Sequence, residues 1–347
     1  MRRFLALLLC LMVLPGTVLR DPPLGFDWQA GLALEPLPLD GPAMPAAPQQ
    51  ALRLVQAWQL RSRHPLFGGY SALIVERQPE RAKPMRLLLV SDAGHYLRMD
   101  LAEAGLRGFA FGSFPKVTAW NKAGRDAESA TRDPATDTVW IGWEGRNAIS
   151  RHRPDLAFDG FVRPLAMRRW PLNSGAEAMV RLADGRFVVL SEAYDKRWYQ
   201  VWGEEGQEVR HKALLFAGDP VTKGAPASFT FAGADGYRPT DMAQLPDGRV
   251  LVLMRRLIWP FPMRFADCIV VADPRDITAG GTWKGKVVAR IASPWPVDNY
   301  EGIAVTPRSG GTAGGRLDVW LISDDNGAAL QRSLLLRLEL DPALLPR

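Results

Sequence analysis

The chain has 347 residues, enough for two ordinary domains or one large β unit, and 47% of them are apolar, which supplies a core and excludes a disordered chain. Its formal charge is +6, but the basic residues are scattered without a run of five or six, which excludes a nucleic-acid tract. Of the two cysteines only Cys268 lies outside the leader-like start, so a disulfide framework is excluded as well.

The chain opens on Met1-Arg2-Arg3 and an apolar run over residues 4–15, the basic start and short apolar core of a secretory signal. That run is shorter than the roughly 20 residues a spanning helix needs. Residues 1–20 therefore read as a signal peptide of a periplasmic or secreted protein, with an uncleaved anchor as the alternative. Residues 21–50, rich in Pro, Leu, Ala and Gly, read as a linker or extended arm. From 51 to 347 the pattern is one β domain. Its first stretch, 53–60, alternates apolar and polar residues and is expected to pair with residues 334–338 near the other end and close a ring.

A module then recurs: a small residue, a carboxylate, an apolar run, a turn, a second apolar strand and a terminal charge. Its first copy is degenerate, with Ser71 in the carboxylate place and Ser91-Asp92 at the end. The second runs from Glu128 through the turn at Asp133-Pro134 to Trp143-Glu144. The third runs from Glu177 through Asp184-Gly185 to Ser191-Glu192, and the fourth from Asp241 through Asp247-Gly248 to Arg255-Arg256. The fifth runs from Glu301 through a Gly-rich turn to Ser323-Asp324. Asp-Gly and Asp-Pro supply the backbone angles of tight turns, so each copy reads as a hairpin. The leading acids stand 49, 64 and 60 residues apart, which suits four-stranded blades. Strands at 199–202, 212–216, 268–271 and 287–291 supply outer members. No amphipathic helical stretch of ten residues stands out. The fold class expected is all-β, a β-propeller of five to six blades of four antiparallel strands, the sixth being open to the terminal strands.

In a propeller the start of every inner strand reaches one end of the central channel. Glu128, Glu177, Asp241 and Glu301 are expected there, with Asp92, Glu144, Glu192 and Asp324 returning to the same mouth on the second strands. Converging carboxylates repel one another. A Ca²⁺ ion, which takes six to eight oxygen ligands, removes the conflict. The metal ligands expected are Glu128, Glu177, Asp241, Glu301, Asp324 and Asn299, with Asn147, Asn173 and Asn326 as further amide oxygens. The other reading is that each acid pairs with an arginine of its own blade. Arg238, Arg255 and Arg332 are candidates to hold an anionic group. His95, just past Asp92, is a candidate acid or base beside Glu128, Glu177, Asp241 and Glu301; a surface histidine is the alternative. Cys268, in an apolar strand, reads as a core residue. Gly-x-Ser-x-Gly is absent, against a serine esterase.

The ordered motifs Asn173-Ser174-Gly175-Ala176-Glu177-Ala178-Met179, Tyr237-Arg238-Pro239-Thr240-Asp241 and Asp298-Asn299-Tyr300-Glu301-Gly302-Ile303-Ala304, ending in Leu321-Ile322-Ser323-Asp324-Asp325-Asn326 and Gln331-Arg332, resemble the bacterial phytase-like family, described by "esterase-like activity of phytase". The resemblance covers about residues 65–340. It implies an exported β-propeller with phosphoesterase activity, and it carries Glu128, Glu177, Asp241, Glu301 and Asp324 over as site residues; Ser71 and Arg255-Arg256 depart from a full acidic set. The expected function is metal-dependent hydrolysis of a small anionic phosphoric ester by a monomer, with no nucleic acid and membrane contact only through residues 1–20. The alternatives are a calcium-dependent lactonase or carboxylesterase, to which Asp126-x-Glu128 is also similar, and a non-catalytic ligand- or protein-binding propeller.

Overall fold

The computed structural model describes residues 25–39, 51–77, 84–103, 105–115, 125–194, 209–222, 224–258, 264–308, 315–328 and 331–346. The expected leader, the strand expected at 199–202 and most of the Gly-rich turn of the fifth unit lie outside these residues.

The described chain is strands and short turns, in five sheets. Two strands, β1 (Ala33–Pro36) and β2 (Leu52–Arg61), come first in sequence but belong to the last blade. Blade 1 holds β3 (Tyr70–Arg77), β4 (Met85–Ser91), β5 (His95–Ala102) and β6 (Gly105–Ser113). Blade 2 holds β7 (Ala127–Arg132), β8 (Val139–Trp143), β9 (Ala148–His152) and β10 (Phe158–Val162). Blade 3 holds β11 (Ala176–Arg181), β12 (Phe187–Tyr194), β13 (His211–Phe216) and β14 (Ala227–Ala232). In blade 4 come β15 (Arg238–Gln244), β16 (Val250–Ile258) and β17 (Arg264–Ala272); the chain then lends β18 (Thr282–Lys284) to the outer edge of β14 before returning as β19 (Lys286–Ile291). Blade 5 holds β20 (Tyr300–Pro307), β21 (Leu317–Ser323) and β22 (Leu334–Leu340), completed by β2 and edged by β1.

The expected closure is present: β2 pairs antiparallel with β22, Trp58 opposite Leu335 and Gln59 opposite Leu334. Terminal strands complete the fifth blade rather than building a sixth. The arm thus contributes an edge strand, Ala33 pairing with Arg61 and Pro36 with Trp58.

Five blades follow from how the strands share their side chains. Successive residues of a strand point to opposite faces, so each blade feeds two interfaces. Leu87 and Leu89 pack toward blade 5, whereas Leu88 and Val90 pack toward blade 2. Val188 and Leu190 meet blade 4, and Phe187 and Val189 meet blade 2. Five such apolar clusters, one per blade junction, make the core. The hairpin turns work as the Asp-Gly pairs predict: Gly185 and Gly248 have φ of 88° and 94°, and Asp184 and Asp247 each accept the backbone N–H two residues on. Cys268 is a buried free thiol whose pKa burial pushes up to about 12, so it is inert at neutral pH. Among the described residues no helix is long and apolar enough to cross a membrane.

Candidate functional site

Every inner strand carries a β-bulge at the same place, where one residue drops out of the ladder. In β7 the ladder passes from Ala127 opposite Trp143 to Ser129 opposite Gly142, leaving Glu128 as the extra residue. The same step leaves Ser71 in β3, Glu177 in β11 and Glu301 in β20. In β15 the residue left out is Thr240, because Pro239 pairs with Met254 and Asp241 with Leu253. A bulge bends the strand and re-aims its side chain, so five bulges present Ser71, Glu128, Glu177, Thr240 and Glu301 at one end of the ring. On each second strand, one residue past the partner of the pre-bulge residue stands Asp92, Glu144, Glu192, Arg255 or Asp324. The two sets share one mouth.

Asp241 therefore stands one residue past the position expected of it, in register with Ala72, Ser129, Ala178 and Gly302. The Thr-Asp pair mimics the Ala-Glu pairs of blades 2 and 3, but Arg238-Pro239 enters the strand one residue earlier. Asp241 is fully buried, and its two oxygens accept the N–H groups of Met242 and Ile303, each at 2.8 Å. Burial pushes its pKa well up, while those donors pull the other way. It ties the inner strand of blade 4 to that of blade 5. Hydroxyls make similar ties: Ser71 donates to Ala127 O at 2.5 Å and Ser129 to Ala176 O at 2.6 Å.

On the blade 2 side three carboxylates converge. Asp126, Glu128 and Glu144 each place an oxygen within 4.8 Å of the others. Glu177 donates a hydrogen bond to Glu144, so this pair shares a proton. Burial raises Glu144 to about 7, and its Oε1 also accepts Gly175 N–H at 3.4 Å. Glu177 is pushed well up by burial, by the proton it gives to Glu144 and by Glu128 and Glu192 nearby. Glu128 rises through burial first and then through the like charges of Glu301, Glu144, Asp126 and Asp92. Asp324 rises through burial and the facing Glu301, while its Oδ1 accepts Asn326 N–H at 2.7 Å.

Arg255 is the cation among the ten mouth positions. Its Nη1 donates to Glu301 and to Asn299 Oδ1 (2.6 Å), and its Nη2 reaches Glu192 Oε1 at 3.4 Å. Asn299 also donates to Glu301 at 2.7 Å. Arg238 holds the other oxygen of Glu192 at 2.9 Å and lies over the Tyr194 ring. Arg332 sits farther out, 3.4 Å from Asp298 Oδ2. His95 opens β5 on the outer side of blade 1, its Nδ1 2.8 Å from Ser113 Oγ, and burial and Arg125 lower its pKa. Asp126 is a member that residue patterns name only through its neighbour Glu128. Asp267, buried opposite Arg255 on β17, carries no sequence signal beyond a charge inside an apolar strand.

The donor set fits a hard cation. Three carboxylates with mutually close oxygens are what Ca²⁺ selects, and the raised Glu128 marks a place where negative charge lacks compensation. Asn299 fits less well, since its amide oxygen is engaged by Arg255.

A family model described as "Phytase-like: Esterase-like activity of phytase" matches residues 65–327. No curated protein matches the chain. Among solved structures, it is similar to an N-acetylgalactosamine deacetylase from F. plautii in complex with blood group B trisaccharide, at 11% identity and a TM-score of 0.43, covering 90% of this chain and 96% of that one. A gluconolactonase from Xanthomonas campestris shares 14% identity with a TM-score of 0.38, over 90% and 98% of the two chains. A hypothetical protein from Leishmania major shares 13% with a TM-score of 0.40, over 79% and 86%. Likenesses this weak carry no argument about function.

Proposed function

Because the chain belongs to the phytase-like family, we propose that it hydrolyses phosphoric esters at the carboxylate-lined mouth with the help of a hard divalent cation, calcium first among them. The observation that carries this reading is the convergence of Asp126, Glu128 and Glu144 beside a proton-sharing Glu177, with the Arg255 guanidinium on the facing wall.

Asp126, Glu128 and Glu144 would hold the cation. When bound, such an ion offsets the charge of a phosphoryl group and makes a coordinated water more acidic. The chain's own residues supply the rest. Arg255 is anchored by Glu301, Asn299 and Glu192, so an entering anionic oxygen meets a guanidinium already fixed in direction. Arg238, more open to solvent, widens the same cationic wall. Glu177 holds a proton against the Glu144 carboxylate, and a pair of this kind can release and take back one proton near neutral pH. The basic start and apolar run of residues 1–15 support export, so this reading puts the reaction in the periplasm or the exterior.

The test uses purified protein with p-nitrophenyl phosphate, bis-p-nitrophenyl phosphate and a short acyl ester, each with and without EDTA. Phosphate release that EDTA abolishes and calcium restores is the expected result. Cleavage of the acyl ester alone would move the assignment to a carboxylesterase or lactonase. Silence on all three, with no calcium-dependent change in melting, would leave a binding propeller.

A further inference from the structure

Four of the five second strands carry a carboxylate at the step facing the bulge, Asp92, Glu144, Glu192 or Asp324, and the fifth carries Arg255. Arginine at a place built for an acid turns a negative charge into a positive one. Seating a divalent ion beside the acid would make the same change. The groups around the guanidinium are also those a hard cation takes. Its Nη1 donates to Glu301 and to Asn299 Oδ1 (2.6 Å), and its Nη2 lies 3.4 Å from Glu192 Oε1. Two carboxylates and an amide oxygen thus converge on one cationic group, from β12 in blade 3 and from the start of β20 in blade 5.

Burial makes that charge necessary. The side chains of Glu192 and Glu301 are 11% and 8% exposed, and that of Arg255 is 22%. Asp267 adds a second, independent demand. It stands opposite Arg255 in the ladder of β16 and β17 and is 1% exposed, with neither oxygen in a hydrogen bond of full strength. For Asp267 and for Glu301 alike, the Arg255 charge is the leading influence in favour of the ionised carboxylate, against burial. Arg238 serves only the other oxygen of Glu192, at 2.9 Å. Three buried carboxylates from three strands therefore depend on one tethered cation.

We propose that the Arg255 guanidinium stands in for a second divalent cation at this wall of the mouth, so that the chain holds one ion where five acids in the ring would hold two. The count of one rests on the ion proposed at Asp126, Glu128 and Glu144; the exchange of guanidinium for ion does not. A tethered cation cannot dissociate, so this wall keeps its charge at any calcium level. Its flat fork also addresses an oxyanion from one direction, whereas an ion accepts oxygens from all round.

The probe is calcium alone, titrated calorimetrically into the full chain, with melting followed in parallel. The parent takes up about one ion per chain and Glu128→Gln about none. Arg255→Gln removes the charge and leaves an amide oxygen; it takes up about two ions and regains in calcium most of the melting temperature it has lost. Glu128→Gln combined with Arg255→Gln takes up about one, at the Glu301 wall. Arg255→Lys, still a cation, binds calcium as the parent does. Glu301→Gln also keeps the parent's single ion, because that ion lies at blade 2. An Arg255→Gln chain that takes up no more calcium than the parent overturns the proposal, since protons then answer Glu192 and Glu301. So does one that stays unfolded in calcium, where the ion fails to replace the guanidinium. Loss of the parent's ion in Glu301→Gln overturns it too, by putting an ion at this wall with Arg255 in place. A parent that takes up no calcium refutes the ion at blade 2 alone: the exchange then shows as a rise from none to one in Arg255→Gln.

Discussion

Asp241→Asn separates a structural strut from a reacting group. The side chain is fully buried, and each of its oxygens accepts a backbone N–H at 2.8 Å, Met242 within its own strand and Ile303 in the next blade. Asparagine keeps the shape and one acceptor but turns the other oxygen into an NH2 group facing an N–H. One backbone donor is then left buried without a partner, a charge-assisted bond is lost, and the two effects together cost about 2–4 kcal/mol. For a chain of this size that lowers Tm by about 5 °C. Urea denaturation followed by tryptophan fluorescence gives the free energy, and hydrolysis of p-nitrophenyl phosphate below the transition gives the activity of what remains folded. The expected result is a clear loss of stability with activity per folded molecule nearly kept, whereas Thr240→Ser, at the bulge itself, leaves stability almost unchanged. An Asp241→Asn protein with the parent's denaturation midpoint and no hydrolysis would refute the register argument.

Other perturbations follow from the same geometry. Calcium at a hundredfold excess over its Kd should stabilise the parent by about 2.7 kcal/mol, seen as a rise of several degrees in Tm; in Glu128→Gln and Glu144→Gln the rise should largely vanish, and an unchanged rise would place the ion elsewhere. Arg255→Met leaves Glu192 and Glu301 without their shared cation and should cost about 3–5 kcal/mol by urea melting. Arg332→Met removes a partly exposed guanidinium 3.4 Å from the buried Asp298, which can take up a proton in its place, and should cost less than Arg255→Met, so equal costs would contradict the difference in burial of the two arginines. His152 is fully buried, its Nδ1 3.2 Å from Leu156 O and its Nε2 2.8 Å from Ser150 Oγ, and burial lowers its pKa from 6.5 to about 4. The unfolded chain takes up more protons between those values, so the stability present above pH 6.5 is lost as pH falls toward 4. The stability gap between parent and His152→Gln should therefore narrow by about 2 kcal/mol from pH 7.5 to pH 5; a constant gap refutes the assignment.

The repeating hairpins made the architecture legible. Period-two runs with Asp-Gly turns announce strands because both signals are local, and residues 53–60 and 334–338 show their pairing through shared alternation. The blade count was not legible, since it depends on whether terminal strands add a blade or complete one, and that is settled by which faces bury which side chains. Glu128, Glu177 and Glu301 were readable because their bulges fall at the same step from the strand start. Thr240 was hidden by an acid one residue on, and only the ladder tells the two apart. Asp126 contributes from the residue before its strand, where no periodicity applies. Arg255 was visible as an exception in an acidic series, but its anchoring by two acids from different blades belongs to the tertiary structure.

The proposed cation site falls at blade 2 because carboxylate oxygens converge there. Of the ten ring positions seven are acids, two are hydroxyls and one is Arg255. Arg255 meets Glu301 and Glu192, and Arg238 adds to the second. Glu177 and Glu144 lessen their repulsion by sharing a proton. Ser71 and Thr240, the hydroxyl bulges, flank the blade of Glu301 and keep further charge away from it. At blade 2, Glu128 stands among the like charges of Glu301, Glu144, Asp126 and Asp92, and one of its oxygens lies within 4.8 Å of oxygens of Asp126 and Glu144. Like charges this close are eased by protons, by basic side chains or by an ion, and a divalent ion answers several carboxylates at once where each proton answers one. On the proposed reading a phosphoryl group would meet two partners, a cation held at blade 2 and the Arg255 guanidinium at blade 4, and the two together would fix its orientation before any bond is broken.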